Sequence, residues 1–250
     1  MPILESLGVR VGWEIGRQIV TAVPRGLARV HFKRFFGPSA LSLQSISAVL
    51  DPYEHPQPRV SARFVKRMLG RGPDLHIFGE DMVLGINSMR LVAYASSAFA
   101  PFAPRGRSLE FQVDTAAVSS WDRTYLCFGG PDSNLKTYDI AHLPEQSFFR
   151  YEFPPGARFK AWHVGGQWFE AGAADHGIVL RMRNPFFPTH LLFVCAGLGE
   201  WGSTGAAWYL FSQWEKLYKE YGDKELCLVV SVTPGSDQSA RLVHVEERPA

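Results

Sequence analysis

The residues best suited to chemistry lie in Gly197-Leu198-Gly199-Glu200-Trp201-Gly202-Ser203-Thr204-Gly205, a literal G-x-G-x-x-G run followed by two hydroxyls and a further glycine. The run comes after the apolar stretch Leu191–Ala196 and before a helical pattern, the setting that gives such a motif meaning. Glycines permit a tight turn and close backbone approach, and amides at a helix start attract an anionic group. A phosphate is therefore the expected ligand group, held by Gly197, Gly199, Gly202, Ser203 and Thr204. Trp201 is placed to stack on a base, and Glu200 to meet sugar hydroxyls. A packed turn with Trp201 in the core and Glu200 in water accounts for the same letters.

A second turn, Gly129-Gly130-Pro131-Asp132-Ser133-Asn134, also separates an apolar run from a helical one. Capping of that helix by Asp132 or Ser133 is its plainer role. If the two preceding strands lie parallel in one sheet, both turns emerge at one carboxyl edge, where open α/β sheets place ligands. Gly129, Gly130 and Asn134 then join the cradle.

Several familiar chemistries fit badly. A dinucleotide fold needs an acid at the end of the next strand, but that strand ends in Ser231-Val232-Thr233, and too little chain follows for the remaining units. Ser203, Asp237 and His244 follow the order of a hydrolase triad, yet Trp201 stands where the first glycine of the nucleophile elbow belongs. The histidines His163, His176 and His190 lack metal-ligand spacing, and no Cys-x-x-Cys pair exists. Glu170, Asp175 and His176 offer acid/base groups, with Arg181 or Arg183 as anion partners. A ligand-cleaving enzyme would use Glu200 or Glu170, for instance on the glycosidic bond of a nucleotide or NAD. Binding and catalysis remain open alternatives at this level, and no cofactor is assigned.

The positioning elements follow from periodicity. Strands are expected at Ser45–Leu50, Thr124–Phe128, Ile178–Met182, Leu191–Ala196 and Leu226–Val232, with a short apolar run at Leu75–Phe78. Helices are expected at about 61–69, from Glu80 to about Ala98, from Asp132 or Ser133 to about His142, and from about Thr204 to Tyr221, where Gly222 stops the last one. Ala157–Val164 and Gln167–Ala171 flank Gly165-Gly166, a hairpin signal that interrupts the α/β alternation.

A formal charge of +2 conceals an asymmetry: residues 1–71 carry about +7 and the remainder about −5. Arg25, Arg29, Lys33 and Arg34 interleave with His31, Phe32, Phe35 and Phe36, and Arg59, Arg63, Lys66, Arg67 and Arg71 have no acid among them. A solvated helix face explains this. An acidic partner of residues 1–71, whether protein, membrane surface or nucleic acid, is the functional alternative. Cys127, Cys195 and Cys227 each sit inside apolar runs, and their odd number together with the absence of a signal-peptide pattern points to a reducing, cytoplasmic setting. No uncharged stretch is long enough to span a bilayer as a helix.

Taken together, Gly129 to Asn134 opening a helix, Asp175-His176-Gly177 through Arg183-Asn184-Pro185, and the final turn with Gly205-Ala206-Ala207 resemble prokaryotic Rossmann-like domains associated with nucleotide sensing. The similarity covers about residues 120–235. It implies a three-layer Rossmann-like α/β domain and nucleotide binding, and it carries over no catalytic residue. The expected organisation is a basic helical extension over 1–40 and a single α/β domain over 41–250, with a mostly parallel sheet and an antiparallel hairpin insertion.

Overall fold

The computed structural model describes residues 25–41, 46–50 and 86–249, apart from 108, 118 and 158. The expected helix at 61–69, the run at 75–78 and the start of the helix expected from Glu80 lie outside these residues.

The chain forms a mixed α/β fold around a seven-stranded sheet. In chain order the first elements are α1 (Arg25–Phe36), a 3-10 turn (Pro38–Leu41), β1 (Ile46–Leu50), α2 (Ile86–Phe99), β2 (Glu110–Val113), α3 (Asp114–Ala117), β3 (Thr124–Phe128) and α4 (Leu135–Ala141). Three short strands follow, β4 (Phe149–Glu152), β5 (Ala161–Val164) and β6 (Gln167–Phe169), and then β7 (Asp175–Arg183), β8 (Leu191–Gly197), α5 (Glu200–Tyr221), β9 (Glu225–Thr233) and β10 (Ser236–Arg248).

The main sheet runs β10-β9-β7-β8-β3-β1-β2. β8, β3, β1 and β2 pair in parallel, while β7 pairs antiparallel to both β8 and β9, and β10 antiparallel to β9. Five of the seven strands therefore share one direction. The crossover from β8 through α5 does not join neighbours, because β7 lies between β8 and β9.

Strand alternation divides the apolar side chains between two cores. Leu126, Phe128, Phe193, Cys195, Leu228 and Val230 face α1, α2 and α5. Their chain neighbours Tyr125, Cys127, Leu192, Val194, Cys227 and Val229 face α4 and the small sheet β4-β5-β6. The Gly165-Gly166 hairpin thus forms as its two-residue turn demands, with both glycines at positive φ, but its third strand, β4, has no strong alternation to announce it.

Residues 25–40, the described part of the extension expected over 1–40, are built into the first core. Ala28, Phe32, Phe35 and Phe36 recur at helical spacing and are buried. Phe32 stacks on Phe102 at 4.1 Å and meets Trp214 edge-on at 5.1 Å. Burial of each such ring is worth about 2–3 kcal/mol of transfer free energy.

Candidate functional site

β3 and β8 are parallel neighbours, with Cys127 opposite Val194 and Phe128 opposite Cys195. Their carboxyl ends bring the two glycine turns together. The Gly129 amide, at a φ of 109° that favours glycine, donates to Cys195 O at 3.0 Å, and a Cβ on Gly130 would stand 3.7 Å from Gly197 O. From this shared edge the chain departs to opposite faces: Ile140 of α4 lies in one core and Ala206, Ala207 and Leu210 of α5 in the other.

The turn after β8 is shorter than its sequence suggests. α5 begins at Glu200, not near Thr204, so Gly202, Ser203, Thr204 and Gly205 are helical, and only Leu198 and Gly199 lie between it and Gly197, the last residue of β8. The glycines serve close packing of this helix on the sheet. A Cβ on Gly202 would lie 2.7 Å from His176 O, one on Gly177 would press on Gly202 O, and one on Gly205 would press on Val232.

The amides expected to hold a phosphate already have an anion. Asp175, the first residue of β7, is buried, and its carboxylate accepts from Gly199 N at 3.1 Å and Gly202 N at 2.6 Å. It supplies from across the sheet the cap that Gly199, the residue preceding the helix, has no side chain to give. The hydroxyls are likewise committed. Ser203 Oγ accepts from Gly197 N at 2.8 Å, and Thr204 Oγ1 donates to Glu200 O at 3.1 Å.

Asn134, not Asp132 or Ser133, caps α4. Its Oδ1 accepts from Thr137 N at 2.9 Å while Nδ2 donates to Phe128 O at 2.9 Å and Val49 O at 3.4 Å, tying the ends of β1 and β3 together. Asp132 is exposed and pairs with Lys160 at 2.8 Å. Of the expected cradle, Gly130, Gly197, Gly199 and Trp201 keep some surface, as does Ser203, whereas Gly129, Asn134, Gly202 and Thr204 are buried.

Glu200 is exposed at the first position of α5, and Trp201 lies beneath the Arg90 guanidinium at 5.0 Å. Arg90 also meets the buried Asp237 at 3.3 Å, and Tyr94 OH donates to the same carboxylate oxygen at 2.5 Å. Burial, and then this bond, push the Tyr94 hydroxyl well above its ordinary pKa. Glu170 is exposed after β6, and its carbonyl lies 2.8 Å from His176 Nδ1. Ser203, Asp237 and His244 do not form a triad: Asp237 is held by Arg90 and Tyr94, and His244 Nε2 lies 4.0 Å from Glu246. Among the described residues no group of three His, Cys, Asp or Glu could hold a metal ion.

A concavity of about 580 Å³ opens at the opposite end of the sheet. Arg29, Lys33 and Arg34 of α1 line it together with Arg181 and Arg183 of β7, and Asp223 is the acid among its described lining residues. Arg181 is buried, with its guanidinium on the carbonyls of Phe35 at 2.9 Å, Arg34 at 3.2 Å and Lys224 at 2.5 Å. Burial lowers its pKa to about 10, which leaves it a cation at neutral pH. Sequence reasoning marked both groups of cations but had no means of joining residues about 150 positions apart.

No family model, curated protein or solved structure matches this chain.

Proposed function

We propose that the protein is a small-ligand-binding domain of three-layer Rossmann-like type, taking a nucleotide-sized molecule in the crevice between the Gly129-Gly130 and Gly197-Leu198-Gly199 turns. The observation that carries this reading is the departure of the chain from two neighbouring parallel strands to opposite faces, the arrangement that opens a ligand crevice in α/β sheets. Gly130 adds to it, since among the described residues Gly197 O is the one atom near the place its Cβ would occupy.

The ligand's phosphate is not seated on the start of α5, because Asp175 holds Gly199 N and Gly202 N and a second anion there would be repelled. The crevice instead reads the nucleoside end, with Glu200 accepting from sugar hydroxyls and the Trp201 ring offering a face to a base. Sensing rather than turnover is the preferred role, since no observation favours cleavage by Glu200 or Glu170. A reducing, cytoplasmic setting belongs to the same reading and is supported by three buried, unpaired thiols. Among the described residues, no helix is long and apolar enough to cross a membrane.

The test is a thermal-shift screen of nucleosides and nucleotides against wild type and Gly130→Trp, with each ligand analysed for breakdown afterwards. Gly130 is the right position because a side chain at Gly202 would strike the sheet and unfold the helix start. A ligand that raises the melting temperature of wild type but not of Gly130→Trp, and is recovered intact, is the expected result. No shift with any member of the panel overturns the reading.

A further inference from the structure

We infer that the basic groove at the amino edge of the parallel strands is a binding site for single-stranded nucleic acid. Leu191 opens β8 and Arg183 closes the antiparallel β7, so the groove lies at the end of the sheet remote from Gly197. It is a site separate from the glycine crevice.

Its charge is the first argument. Arg29, Lys33 and Arg183 are exposed, and they add to Arg34 and Arg181 against Asp223. Arg29 and Lys33 are one turn apart on the same face of α1, close enough to follow a phosphate chain. The carboxyl-terminal ends of α1 and α5 both point here and would ordinarily repel phosphate. Arg181 offsets that repulsion at α1 by covering the carbonyls of Arg34 and Phe35, and its charge is held beside the end of α5 by Lys224 O in the turn that follows.

The second argument is the apolar material between the cations. Val30, Pro38, Leu41 and Leu191 form part of the groove wall, and Pro188 and Thr189 come from a turn whose Phe186 and Phe187 are 57% and 43% exposed. Single strands offer unstacked base faces to such surfaces, whereas a duplex keeps its bases inside. A bilayer would meet the rim of a concavity and leave its wall uncovered. The three source chemistries of phosphate thus differ in what they ask of this groove, and the single strand uses all of it.

The experiment is fluorescence anisotropy of a labelled oligouridine of about twelve nucleotides, within the range of site sizes known for such grooves, titrated with the full chain over a series of salt concentrations. Three phosphate contacts predict a slope of log affinity on log salt of about −2, at roughly 0.7 per contact. Arg29→Glu/Lys33→Glu, which changes only exposed side chains, should weaken binding at least tenfold and flatten the slope. Arg183→Glu, on the other wall, should do the same independently. Phe187→Ala should weaken binding with the slope unchanged, and Arg241→Glu, exposed on β10, should have no effect. The inference is overturned if the oligonucleotide does not bind, if the groove variants bind like wild type, or if a mononucleotide displaces the labelled oligomer as effectively as unlabelled oligomer does. It is equally overturned if the protein sediments with phosphatidylserine vesicles while ignoring the oligonucleotide.

Discussion

The carboxylate of Asp175 lies 2.6 Å from the amide of Gly202, 27 positions further along the chain, and so fastens the first turn of α5 to the first residue of β7. Two amides converge on this buried group, and a charged acceptor makes each bond worth about 1.5–3 kcal/mol. Asp175→Ala should lower stability by about 2–3 kcal/mol in urea unfolding. Asp175→Asn should recover little of it, because an amide lacks the charge that favours the helix start. An asparagine variant as stable as wild type would mean that the carboxylate is not the cap.

Arg181 makes a different prediction, because it holds together segments distant in sequence. Its donors reach carbonyls at the end of α1 and in the turn between α5 and β9, so Arg181→Met leaves acceptors unpaired at both places. A loss of about 3 kcal/mol or more is expected, and α1 should loosen before the sheet does. Trypsin should then cut after Lys33 or Arg34 faster than in wild type under native conditions. Arg181→Lys should not restore protection, since an ammonium cannot reproduce the planar fork that reaches three carbonyls. Unchanged cleavage in Arg181→Met would remove the clasp from the account.

Lys136 should write itself into the pH dependence of stability. Its ammonium is buried, 3.4 Å from the centre of the Trp121 ring, and donates to Ser120 O. Burial lowers its pKa from the ordinary value of 10.5 to about 8. Between pH 8 and 10.5 the folded protein has shed this proton while the unfolded chain keeps it, so wild type should gain stability relative to Lys136→Met as pH rises through that window. The gain approaches about 3 kcal/mol at most, and it disappears as pH falls below 8. Urea midpoints of the two proteins at pH 7 and pH 10 check this, and parallel midpoints would contradict it.

Much of the sheet was legible in the sequence because β3, β8 and most of β9 are apolar. β3 was read with its full bounds at Thr124–Phe128, β8 and β9 to within a residue or so, and the convergence of the two glycine turns followed once β3 and β8 proved parallel. β10 escaped notice because its burial is partial and irregular, with shifts in register near Arg241 and His244. The glycine run misled for a physical reason. Glycine permits close approach by a ligand or by the protein's own backbone, and nothing local tells the two apart. Only the position of Asp175, brought from another strand, shows that this helix start is already served. The groove was illegible as a unit for the complementary reason: its cations were visible, but Arg29 and Arg183 meet only through the tertiary fold.

The packing of α1 bears on how the chain survives its own synthesis. Phe32, Phe35 and Phe36 are synthesised some 160 to 180 residues before Phe193, Phe211 and Trp214, against which they pack. At typical elongation rates of 5–20 residues per second that interval is roughly 10–35 seconds. Throughout it, three phenylalanines on one face of a basic helix await the rings that cover them in the folded protein.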